Sequence, residues 1–358
     1  MKILLFAGGT GKRFWPVSRK KTPKQFLPIV NDTPLLKLRV DIIKQGFHPS
    51  DIFISTGVQY ESEVRKMLPE LPEENFILEP EMRDTGPAVA LAVAYVSSKF
   101  PEEVLSVQWS DHLIKNPNVF IKSLNEAEKI ALEENKITLI TVPARFPSPH
   151  RGYINFGKKV RNVLNEEIIL YNFVKFVEKP TKEVAVKYLE DGHYGWNPGY
   201  WNFKGYRYLE ILEKNHPETY AIINRIKENN FTKEALEEFR TLEKISADYQ
   251  FAETLSSEDA KVLMVDMGWS DVGEWIAFKE ALEDSQLSNV IRGHSFDMGS
   301  SDTLIYNTQD NKLVATIGLE GMVVVNTEDV LAIFHKDDNT KIKEFIKKME
   351  EGGLGRYL

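Results

Sequence analysis

The chain has 358 residues, a length that favours roughly two domains. Hydrophobic residues make up 42% and aromatics 11%, which supplies a real core and excludes a disordered chain. Lys and Arg number 45 against 53 Asp and Glu, a net charge of −8, which disfavours nucleic acid or an anionic membrane as a general partner. The absence of cysteine rules out disulfides, thiolate zinc sites and cysteine nucleophiles, and is compatible with any compartment.

No apolar run approaches the roughly 20 residues that span a bilayer. Residues 1–7, MKILLFA, briefly mimic a signal peptide, but the stretch is too short and runs straight into GGTGKR. It reads instead as the buried first strand of a soluble, cytoplasmic protein. Strands at 51–56, 75–79, 104–109 and 137–142 then alternate with helices at 34–45, 60–68, 87–99 and 118–134. That alternation predicts a largely parallel sheet covered on both faces. Residues 146–265 are mixed: strands at 152–160 and 168–178, helices at 181–189 and 206–214, a charged helical stretch over 217–240, and a strand at 262–267. After 288 the texture changes to short strands at 303–307, 312–317, 322–326 and 330–334, separated by turn residues. A helix over 340–350 closes the chain, with Ile342, Phe345, Ile346 and Met349 on one face and a solvated lysine face opposite. No low-complexity segment or clear internal repeat is visible. The expected domains are 1–287 and 288–358. The tail and terminal helix could form a homodimer interface or pack within one chain.

The most informative segment is FAGGTGKRFWPVSRKKTPKQFL, residues 6–27. A strand ends at Ala7, and three glycines follow, able to bring backbone N–H groups against phosphate oxygens. Two standard phosphate loops are excluded. Phe6 stands where a P-loop needs its first glycine, and Arg13 where it needs Ser or Thr; Phe14 stands at the last glycine of a dinucleotide fingerprint. Pro16 cuts short any helix opening there. Arg13, Arg19 and Lys24 form a cationic run in an acidic protein, for which phosphates are the natural ligand.

This segment resembles the nucleotide-sugar pyrophosphorylases, and within them the mannose-1-phosphate guanylyltransferases, whose N-terminal motif reads G-G-x-G-x-R-[LF]-W-P-x-S-R-x-x-x-P-K-Q-F-L. Gly8, Gly9, Gly11, Arg13 to Pro16, Ser18, Arg19 and Pro23 to Leu27 all match in register. Further similarities follow in family order: EPEMRDTGPA at 79–88, SDH at 110–112, FVEKP at 176–180, WNPG at 196–199 and WSDVGEW at 269–275. The resemblance implies an α/β, Rossmann-like nucleotidyltransferase domain with a mixed, mostly parallel sheet, followed by a small left-handed β-helix-like domain.

It also implies roles. Ala7, Gly8, Gly9, Gly11, Arg13 and Lys24 would hold the triphosphate of GTP, while Arg83, Thr85 and Pro87 would lie against the base. Asp111 and Asp271 would bind Mg²⁺, and with Arg13 and Lys24 make up the catalytic set. Both aspartates follow predicted strands, and two carboxylates suit a hard cation that keeps phosphate and water ligands. Alone, either would more often be a turn residue or helix cap. Glu178, Lys179, Asn197, Gly199 and Gly152 would hold the sugar 1-phosphate. No histidine is needed as a base, because a phosphate monoester with a second pKa near 6 is already an oxyanion at neutral pH. The family's P-E-T-G-Y-G-Y-I becomes PSPHRGYI at 147–154, adding Arg151 and Pro149, and Gly86 replaces an alanine. Mannose remains the favoured sugar, and the altered loop raises another hexose or heptose phosphate as the alternative. A non-catalytic sugar-nucleotide sensor is the rival from a different class; it would be expected to lose some of Arg13, Lys24, Asp111 and Asp271, and all four are present.

Overall fold

The computed structural model describes the chain except residues 10, 20–22, 29–32, 165, 166, 284 and 286 and the side chain of residue 12. Thr10 and residues 20–22 of the glycine-rich segment thus lie outside the described residues. The chain forms two compact units, each discontinuous in sequence. The first comprises residues 1–8, 40–110 and 114–269; the second comprises 9–39, 111–113 and 270–358. Compactness therefore divides the molecule differently from a single cut at 287, because the glycine-rich segment and residues 111–113 belong with the tail.

The strands in chain order are β1 (Lys2–Phe6), β2 (Ile52–Gly57), β3 (Phe76–Glu79), β4 (Val104–Trp109), β5 (Leu113–Ile114), β6 (Ile137–Pro143), β7 (Tyr153–Leu164), β8 (Ile168–Val177), β9 (Tyr194–Lys204), β10 (Ala260–Val265) and β11 (Trp269–Ser270). Nine of them make the sheet of the first unit, in the order β3-β2-β1-β4-β9-β6-β10-β8-β7. The β3-β2-β1-β4 half and the β6–β10 pair are parallel; β9 runs antiparallel to both β4 and β6 and joins the two halves. The helix Thr85–Lys99 is apolar all round and almost wholly buried, as expected for a helix covered on every side. It starts two residues before the predicted 87, because Asp84 caps it by accepting from the Thr85 N–H at 2.7 Å. The charged stretch predicted over 217–240 breaks into Pro217–Glu228, Lys233–Leu236 and a 3₁₀ turn, with Asn230 and Phe231 at positive φ after the first of these helices.

The second unit holds the helix Trp275–Leu282, strands β12 (Val290–Arg292), β13 (Ser295–Met298), β14 (Leu304–Asn307), β15 (Val314–Ile317), β16 (Met322–Asn326) and β17 (Leu331–His335), and the helix Ile342–Glu351. β12-β14-β16 and β13-β15 are parallel ladders, as successive coils of a β-helix require, and β17 returns antiparallel on β16. The β14–β16 and β13–β15 pairs stack at a 19-residue offset, and a buried amide ladder follows it. Asn326 Nδ2 donates to Asn307 Oδ1 at 2.7 Å. Asn307 Nδ2 in turn donates to the carbonyls of His294 and Lys312 at 2.8 and 2.6 Å. Phe14, Trp15, Trp275, Phe278, Tyr306 and Ile346 share the core of this unit.

Among the described residues no helix is long and apolar enough to cross a membrane. Asn307→Ala should strand the amide of Asn326 and two carbonyls, and lower unfolding stability by about 1–3 kcal/mol in urea titration; an unchanged midpoint would show that the ladder contributes nothing.

Candidate active site

The second unit gathers the cations and carboxylates of the glycine-rich segment and of residues 111 and 271. Gly11 has φ +60, and a Cβ there would lie 2.4 Å from Lys24 Cβ, so only glycine lets the loop pack on this lysine. Its carbonyl accepts from the Phe14 N–H at 2.8 Å and the Ser18 hydroxyl at 2.6 Å. Lys24 is 3% exposed. Its ammonium donates to Asp111 Oδ2 at 3.0 Å and to the Asp271 carbonyl at 3.2 Å, and lies 5.3 Å from the Phe14 ring centroid. Burial pushes the Asp111 carboxyl up, but the charge and hydrogen bond of the neighbouring Lys24 hold it below the usual value. His112 is driven down to about 4 by loss of water, against the pull of Asp111 and Asp271, so the ring is neutral at pH 7. Arg13 is half-exposed, 3.6 Å from Glu274. A Cβ at Gly273 would lie 3.4 Å from Arg13 Nη2 and 3.5 Å from Asp271 Oδ2, so Arg13 and the Asp271 carboxylate flank the same glycine.

These donors fit a hard divalent cation. Asp111 and Asp271 offer carboxylate oxygens and the chain has no thiolate; no group of three or more His, Asp or Glu among the described residues could hold a metal ion. A pair of carboxylates leaves room for phosphate and water ligands, the arrangement that magnesium prefers.

The first unit assembles a second polar group. Asn197 Nδ2 donates to Asp248 Oδ1 at 3.0 Å, its Oδ1 accepts from the Gly199 N–H at 2.9 Å, and its own N–H donates to Gly152 O at 2.9 Å. The Gly199 carbonyl accepts from Trp109 Nε1 at 3.0 Å. Both polar groups of Gly199 are thus engaged inside the protein, where they orient Asn197. Lys179, at φ +45, donates to the buried Glu178 carboxylate. A Cβ on Gly152 would come within 2.5 Å of Glu178 Oε2. Burial, then the charge of Glu178, raises Asp248 to about 7, with Lys179 opposing. Thr85 Oγ1 accepts from the Ala247 N–H at 2.8 Å, Arg83 pairs with Glu81 at 3.2 Å, and Pro87 is buried in the helix. Arg151 lies over the Trp196 ring at 4.1 Å, with Phe146 and Trp269 at 5.0 and 5.6 Å.

A family model described as nucleotidyl transferase matches residues 2–287, and one described as a MannoseP isomerase/GMP-like beta-helix domain matches 295–349. The chain belongs to the nucleotidyl transferase family. Its relatives include mannose-1-phosphate guanylyltransferase 2 of Escherichia coli O157:H7, 31% identical over 99% of this chain and 74% of that protein. They also include the alginate biosynthesis protein AlgA of Pseudomonas putida, 30% identical over 98% and 72%. A solved structure described as a mannose-1-phosphate geranyltransferase from Thermus thermophilus superposes with a TM-score of 0.87, at 28% identity, over 98% of this chain and 99% of that one.

Within this nucleotidyltransferase, sequence reasoning missed Asp248, Trp109 and Glu253, which accepts from the Glu178 N–H at 3.1 Å. A helix over 247–250 would have been the only signal for Asp248, and it is one turn long. The departure at Gly86 has a steric reason: a Cβ there would lie 2.7 Å from the Ile245 carbonyl. Because folding raises the Asp248 pKa from 3.8 to about 7, it favours the protonated carboxyl. That contribution is full below pH 3.8 and is lost as pH rises toward 7. Asp248→Asn should therefore gain stability relative to the parent between pH 4 and 7 and hold the gain above. Urea midpoints at pH 4, 5.5 and 8 check this, and a difference independent of pH would refute it.

Proposed function

We propose that this enzyme transfers GMP from GTP to α-D-mannose 1-phosphate, releasing pyrophosphate, with Mg²⁺ as cofactor and in the cytoplasm. The observation that carries the reading is Lys24, whose ammonium joins the Asp111 carboxylate to the Asp271 main chain. Arg13 stands by the same Asp271 carboxylate. That grouping suits a polyanion and a divalent cation together. The relatives at about 30% identity, named mannose-1-phosphate guanylyltransferase, support the choice of base and sugar.

The chemistry is an in-line displacement at phosphorus. An oxygen of the sugar phosphate forms a bond to the α-phosphorus as the bond to the bridging oxygen of the β-phosphate breaks, and pyrophosphate leaves with that electron pair. The nucleophile is already anionic, so no side chain has to remove a proton. The obstacle is repulsion between two anions, and positioned cations lower it. Arg13, Lys24 and the N–H groups of Gly8, Gly9 and Gly11 would hold the triphosphate after Ala7. A divalent ion held by Asp111 and Asp271 would neutralise charge as it develops. Arg83, Thr85 and Pro87 would flank the base. Lys179 would meet the sugar phosphate, while Glu178 and Asn197, oriented by Gly152 and Gly199, would accept and donate to the hydroxyls.

A second reading, the same transfer to another sugar 1-phosphate, is favoured by Arg151, whose guanidinium stacks on Trp196 in the loop that departs from the family pattern. Pyrophosphate release across ATP, GTP, UTP and dTTP, each with mannose, glucose and heptose 1-phosphates, separates the two. GTP with mannose 1-phosphate should be fastest. Equal turnover with ATP or UTP would remove the guanine assignment, and a faster heptose or glucose phosphate the mannose one. Arg13→Ala and Asp271→Ala should each lower turnover at least about tenfold at unchanged thermal stability; near-normal turnover in either would take that residue out of the site.

A further inference from the structure

Arg19 belongs by sequence to the cationic run with Arg13 and Lys24, and phosphate is the ligand that run implies. Its side chain is used otherwise. Nη2 and Nη1 lie 2.7 and 3.2 Å from Asp329 Oδ1 and Oδ2, two parallel bonds between guanidinium and carboxylate. Nε donates to the Pro16 carbonyl at 2.6 Å, which fixes the fork against its own loop. Asp329 sits in the turn between β16 and β17 of the β-rich tail.

A second tie runs from the same loop to the end of the chain. Trp15 Nε1 donates to the Tyr357 carbonyl at 2.8 Å, and its ring lies 5.5 Å from that of Phe345 in the last helix. Trp275 Nε1 donates to the Trp15 carbonyl at 2.9 Å. Next to Arg19, the Ser18 hydroxyl holds the Gly11 carbonyl, and Gly11 packs on Lys24. Every one of these contacts lies within the second unit. A continuous set of bonded groups thus leads from the tail to the lysine that meets Asp111.

We propose that Arg19 is a positioning residue whose fork with Asp329, backed by the Trp15–Tyr357 bond, makes the β-rich tail the support that holds the glycine-rich loop in shape for the triphosphate. The ligand in this statement rests on the function proposed above; the latch itself does not. A guanidinium already paired at both nitrogens acts through the loop and not on the phosphate.

Steady-state kinetics and hydrogen exchange on the full chain test it. Arg19→Ala and Asp329→Ala should each raise the KM for the nucleoside triphosphate about threefold or more, with the KM for the sugar phosphate unchanged. The charge-swapped pair Arg19→Asp with Asp329→Arg should return the triphosphate KM to within about twofold of the parent, which a merely space-filling contact would not do. Hydrogen exchange should quicken across residues 11–19 in both single variants, a readout that needs no turnover. An unchanged triphosphate KM with unchanged exchange, even at a lower melting temperature, overturns the proposal. A parent that releases no pyrophosphate from any triphosphate would instead refute the function, while exchange alone would still decide the latch.

Discussion

The Lys24 ammonium is the charge on which the second unit is organised. A lysine this deeply buried must be paired, because an uncompensated ammonium out of water costs several kcal/mol. Its pairing reaches residues 87 and 247 positions away, Asp111 and Asp271. One bonded group therefore draws three distant stretches of chain together, and they are the stretches that carry the family's signature. Removing the lysine would leave the Asp111 carboxylate beside a neutral His112, without the cation that holds its pKa down.

This pairing also accounts for the discontinuous units. The chain leaves the parallel sheet after Gly8, at the end of its first strand, and returns at Val40; it leaves again for residues 111–113, just past β4. A cut at one position in sequence cannot express that. The alternation of short apolar runs with longer helical periods made the sheet and its helices legible. It did not reveal β9, whose sequence YGWNPGYWNFK carries two glycines and a proline and is buried on both faces, so it shows neither alternation nor a clean apolar run. The helix Trp275–Leu282 was hidden for a related reason: eight residues against a loop motif give too little periodicity. The coil repeat of the tail escaped notice because its register rests on Asn307 and Asn326, amid otherwise unlike strands.

The site was legible where chemistry is local to a motif. Lys24 bonds the Asp111 carboxylate and the Asp271 carbonyl, and Glu178, Lys179, Gly152 and Asn197 lie in one group of contacts. What sequence could not supply is the partner of each polar group. Asp248 lies 51 residues from Asn197 and joins it only because β9 and a single helical turn meet in the fold. Arg19 shows the converse. Its charge and its place in the motif say phosphate; only the approach of Asp329, 310 residues on, shows where that charge is spent.

The electrostatics of the two units differ in a way that follows from their pairings. In the second unit the Lys24 ammonium reaches the Asp111 carboxylate and holds its pKa below the usual value against the pull of burial. In the first, Lys179 is bonded to Glu178, and Asp248 is left to share that single positive charge from a distance. Burial and the neighbouring carboxylate then raise Asp248 to about 7. A carboxyl whose pKa is raised in this way can donate as well as accept. The difference between the two units is thus whether a lysine stands close enough to an acid to keep it charged: Lys24 bonds Asp111, whereas Lys179 bonds Glu178 and not Asp248.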